Sequence, residues 1–132
     1  MNIQHSVFLR KVLKADALLS TITVVVMTFG AGVLAPVTGL PADGLRLVGL
    51  ALIPWVGLLL WVGTRPAVPA GWVWLVIALN GLGAVACAVL AFGASLNLTA
   101  LGLGFMAVNG VGAAALAELQ YLGLRRSAPA LA

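Results

Sequence analysis

With 132 residues, 63% of them hydrophobic and only 8% charged, the chain carries more apolar surface than a soluble domain of its length can bury, since such domains are about half apolar and about a quarter charged. A mean hydropathy of +1.18 makes lipid the natural solvent. The formal charge of +4 does not indicate nucleic acid, because the seven cations are scattered along the chain rather than gathered beside base-reading side chains.

The charges divide the chain into spans, because Asp, Glu, Lys and Arg are tolerated mainly near the ends of membrane helices. After Arg10, Lys11 and Lys14, no charge intervenes between Asp16 and Asp43, which predicts a first span over 13–35. Pro36, Gly39, Pro41 and Gly44 close it. The charge-free stretch between Arg46 and Arg65 predicts a second span over 45–63, and Pro66 and Pro69 separate it from a third over 70–92. The uncharged segment Gly93-Ala94-Ser95-Leu96-Asn97 suits a tight helical turn into a fourth span over 97–124. The predicted fold is an all-α bundle of four transmembrane helices forming one integral membrane domain over 1–132. A cleaved signal peptide ending near Ala35 is the rival reading of the N-terminus, disfavoured by the length of the apolar run and by Asp16 at its start.

Orientation follows from the basic residues. Arg10, Lys11, Lys14, Arg65, Arg125 and Arg126 fall on one side, against Arg46 on the other. The expectation is that both termini and the Arg65 loop are cytoplasmic. Trp61, Trp72, Trp74 and Tyr121 collect at that same face, where amphipathic rings favour the headgroup region. Trp61, Gly63 and Arg65 are matched by Tyr121, Gly123 and Arg125 at an offset of sixty residues. That order fits a tandem duplication of a helical hairpin, and equally fits convergent membrane-exit signals.

Lipid-embedded helices associate through close packing, so small residues mark candidate contacts. Gly81, Ala84 and Ala88 form one stripe on the third span, and Gly110, Ala114 and Glu118 another on the fourth. These read either as ordinary bundle contacts or as a groove for a partner helix. Catalytic chemistry is not expected. One histidine, His5, lies in the tail, and one cysteine, Cys87, lies in the third span; no cluster has metal-ligand spacing and no nucleophile has an activating base. Gly102 and Gly104 read as helix packing rather than a nucleotide fingerprint. No cofactor is implied.

The polar residues inside the spans are the remaining candidates. Glu118 lies about 10 Å in from Arg125 and Asn80 about 12 Å in from Trp72. Asp16 and Ser20 begin the first span at a similar or shallower depth. Asp16, Ser20, Asn80 and Glu118 are therefore expected to form one polar layer, with Glu118 facing the bundle and Lys14 able to act as counter-charge. Nine residues at about 100° each set Asn109 half a turn from Glu118, so it is expected to make an interhelical hydrogen bond rather than to line the same path.

Phe8 to Ser20, Pro54-Trp55, Trp61 to Pro66, Ala78 to Asn80 and above all Ala117-Glu118-Leu119-Gln120-Tyr121-Leu122-Gly123-Leu124-Arg125-Arg126 resemble a family of small bacterial inner-membrane proteins. The resemblance implies four helices and a bacterial source, and carries no activity. The chain does not resemble small multidrug transporters or dimeric fluoride channels, lacking a glutamate in the middle of its first span and a phenylalanine-rich filter. Two functions remain as expectations. One is a non-enzymatic accessory or scaffold protein that contacts membrane lipids and either self-associates or joins a larger membrane complex. The other is a small transporter or ligand-binding protein using the polar layer.

Overall fold

The computed structural model describes residues 2–4, 6–93 and 98–129. Among them are five helices, α1 (Val7–Phe29), α2 (Ala31–Thr38), α3 (Ala42–Thr64), α4 (Ala70–Phe92) and α5 (Ala100–Arg125), with short strands β1 (Asn2–Gln4), β2 (Ala67–Pro69) and β3 (Ala128–Pro129). Helices α1, α3, α4 and α5 are each long and apolar enough to cross a membrane. Most of their surface stays outside the bundle, as expected where lipid is the solvent.

The first predicted span differs at both ends. Its helix starts earlier because Ser6 caps it, the hydroxyl accepting from the Leu9 amide at 3.1 Å. It then bends at Gly30, where the chain leaves helical geometry but keeps the Gly30 amide bonded to the Val26 carbonyl at 2.8 Å. The short helix α2 carries on to Gly39, whose φ of 78° and amide bond to Ala35 form a left-handed cap. Pro41 and Pro69 stand at the N-caps of α3 and α4. Helix α5 begins behind Thr99, whose hydroxyl accepts from the Gly102 amide at 3.1 Å. His5 and residues 94–97 of the expected turn lie outside the described residues.

Helix α1 packs closely on α3, and α4 on α5, so the chain forms two helical hairpins that meet where α1 faces α5. Gly123 sets that seam, and Gly102 sets the crossing of α5 on α2. A Cβ on Gly123 would lie 2.9 Å from the Leu9 backbone, and one on Gly102 would overlap the Thr38 carbonyl. Larger residues at either position would push the helices apart. One apolar core, with Leu9, Leu13, Leu59, Val62, Val73 and Val76, lies towards the termini; a second, around Met27, Ala31, Leu45 and Met106, lies towards the Gly30 bend.

The strands were not expected. β1 is the middle strand of a three-stranded antiparallel sheet, pairing Ile3 with Val68 of β2 and with Pro129 of β3. The sheet brings both ends of the chain and the loop after Arg65 together on one face of the bundle.

Candidate functional site

Near the terminal face, four helices converge on one carboxylate. Asp16 points from α1 into the bundle and is 2% exposed. Its Oδ2 accepts from the Asn80 side-chain amide of α4 at 2.8 Å and from the Gln120 amide of α5 at 2.6 Å. The Asn80 amide also donates to Gln120 Oε1 at 2.9 Å, closing a triangle. On the other oxygen, Oδ1, Ser20 donates at 3.2 Å from one turn further along α1. The Trp55 indole of α3 donates to the Ser20 hydroxyl at 3.2 Å and so brings in the fourth helix.

This arrangement satisfies the polar groups that it encloses. Every partner of Asp16 donates to it, the Asn80 amino group serves both the acid and the Gln120 carbonyl, and the Gln120 amino group serves the acid. Asn80 is 7% exposed and Gln120 0%. An ionisable group placed in a span costs about 3 kcal/mol on insertion scales unless it is turned inward and bonded. Here the donors needed to offset that cost come from three spans.

Of the residues expected to form the polar layer, Asp16, Ser20 and Asn80 come together, whereas Glu118 does not. It is exposed on the outside of α5 and forms no hydrogen bond or ion pair among the described residues. The reason is angular. Gln120 follows Glu118 by two residues, roughly 200° around the helix, so when Gln120 faces inward Glu118 faces out. Lys14 is likewise exposed and does not meet Asp16. The missed residues are Gln120 and Trp55. Gln120 had a signal: Gly123 lies three residues beyond it on the same face, and a glycine at a close helix crossing marks the buried side.

Asn109 also departs from expectation. Its amide donates to the Phe105 carbonyl of its own helix at 2.8 Å rather than across to another. Among the small residues, Gly110 does pack, with the Cys87 Cβ 3.1 Å from where its own would stand, but Gly81 has open space around it. Ala88 and Ala114 are exposed. With Ala84, Cys87 and Gly110 they line a groove along the α4–α5 seam that opens sideways.

The residues expected at the membrane interface pair with one another. Trp61 meets Trp72 edge to face at 5.2 Å, and Trp74 meets Tyr121 at 5.7 Å. Arg65 lies over Trp61, Arg125 over Tyr121 and Arg126 over Phe8, at 5.3, 5.8 and 4.8 Å from the ring centroids.

No protein-family model matches the chain, and no curated protein or solved structure is significantly similar to it.

Proposed function

We propose that the protein is a non-enzymatic accessory or scaffold subunit of a bacterial inner membrane, with both termini cytoplasmic, acting through its lateral helix faces within a homo-oligomer or a larger membrane complex. The observation that carries this reading is the enclosure of the Asp16 network. Its one buried acid is bonded by Ser20, Asn80 and Gln120, so its polar groups serve to hold helices together. What the molecule offers outward is apolar surface, including the groove where Ala84, Ala88, Gly110 and Ala114 would let another helix approach closely. The six-to-one bias of Lys and Arg supports the orientation. The pairing of helices into two hairpins is what a tandem duplication would leave.

Purification in mild detergent or native lipid particles tests the role. A partner at fixed stoichiometry, or a defined oligomer of the chain, is expected. A monodisperse single chain that moves protons or a solute across reconstituted vesicles would replace this reading with transport.

A further inference from the structure

The outer face of α1 combines cations with an apolar strip. Phe8, Lys11, Lys14, Leu18 and Ile22 follow one another at spacings of three and four, which keeps them on one side of the helix. Lys11 and Lys14 are exposed, and so are Leu18 and Ile22 deeper along the same strip. A third cation reaches this strip from another helix: Arg126, just past α5, lies 4.8 Å from the Phe8 ring centroid. The neighbouring backbone is tied down, since the Ser6 amide donates to Ser127 Oγ at 3.0 Å. Among the described residues, no acid answers these charges. Asp16 is turned inward, Glu118 makes no ion pair, and among the described residues the only salt bridge joins Asp43 to Arg46 near the other end of the bundle.

We propose that this face binds an anionic phospholipid, its headgroup phosphate held by Lys11, Lys14 and Arg126 and an acyl chain lying along Leu18 and Ile22. Charge complementarity selects the class of lipid. Each Lys or Arg near the surface strengthens the attraction to a net-negative headgroup about fivefold, whereas a zwitterionic headgroup offers no net charge to attract. Lys14, two turns into the helix, has the reach to bring its ammonium back to the headgroup level while its stem covers apolar surface. Arg126, kept in place by the Phe8 ring, presents its fork of N–H donors to the phosphate. The cations and the strip beneath them thus match the two halves of one lipid.

The test uses the full chain in nanodiscs of phosphatidylcholine with an increasing fraction of phosphatidylglycerol, reading the thermal midpoint and, by native mass spectrometry, the lipid retained. The midpoint and the retained phosphatidylglycerol are expected to rise together with the anionic fraction. Raising the salt should weaken both in the unaltered protein, and inorganic phosphate added to pure phosphatidylcholine discs should reproduce neither. Lys11→Gln, Lys14→Gln and Arg126→Gln should each lower phosphatidylglycerol retention about fivefold, while Arg46→Gln leaves it unchanged. Equal retention of both lipids by the unaltered protein overturns the proposal, as does an Arg46→Gln variant that loses as much preference as the other three. A phosphate effect as large as that of the lipid reassigns the site to a free anion and also overturns it.

Discussion

Asp16, Asn80 and Gln120 bond to one another in a triangle drawn from three helices, so their contributions are coupled. Replacing Asn80 by Leu removes donors to both partners and leaves the carboxylate one bond short. Replacing Gln120 by Leu also leaves the carboxylate one bond short, and it takes from Asn80 an acceptor rather than a donor. Each substitution is expected to lower stability by about 1.5–3 kcal/mol, the range for hydrogen bonds to charged groups, and the double variant by less than the sum. Thermal unfolding of the three variants in one detergent checks this, with additive losses counting against a shared network.

Counting along the sequence places polar groups within the apolar spans near the terminal face, and Asp16 and Asn80 are recognisable from that depth alone. It did not show which side of α5 faces in. Glu118 drew attention because a charge in lipid is costly, yet it lies only about one turn from Tyr121 in the interfacial belt, where a long side chain can reach the headgroups. Gln120, uncharged and easily passed over, has the inward face. Depth can be counted along a sequence, but facing depends on which neighbour packs, and that emerges only once Leu9 is seen against Gly123.

At the scale of elements, proline and glycine marked the helix breaks and hydroxyl caps refined them. The early start of α1 depends on Ser6, and the bend at Gly30 keeps its hydrogen bonding, so neither disturbs the hydrophobic pattern from which spans are read. Small residues proved unequal. Gly123→Val would drive a side chain into Leu9 and is expected to loosen the α1–α5 seam, with a loss of at least about 2 kcal/mol for a clash that the two backbones must relieve. Gly81→Ala meets open space and is expected to be neutral or to stabilise α4 by up to about 1 kcal/mol, since alanine favours helix over glycine. Thermal midpoints of the two variants should therefore move in opposite directions or differ sharply in size.

For the whole molecule, the sheet explains why the termini and the Arg65 loop share a face, a feature that hydropathy reaches only through charge counting. Three short strands with few side-chain signals, two of them containing proline, gave no alternating pattern to read. Sidedness can be checked with single cysteines in a Cys87→Ala background. An impermeant reagent on intact cells is expected to label position 43 and to spare position 65, and the reverse pattern would invert the orientation. Self-association along the α4–α5 groove predicts disulfide-linked dimers of Ala88→Cys in the same background under mild oxidation in native membranes. If an Ala88→Cys dimer is absent while the protein still migrates as an oligomer, a different face is in use.

The hydrogen bonds that join the helices run to an inward acid, Asp16, and not to the outward one, Glu118. Thermal unfolding of Asp16→Ala and Glu118→Ala, side by side in the same nanodiscs, tests it most directly. Asp16→Ala is expected to lose about 2 kcal/mol or more, because Ser20, Asn80 and Gln120 lose a shared acceptor in a dry interior, whereas Glu118→Ala should stay within about 0.5 kcal/mol of the unaltered protein. A Glu118→Ala variant as destabilised as Asp16→Ala, or an Asp16→Ala variant that unfolds with the unaltered protein, would mean that the Asp16 network does not hold the bundle.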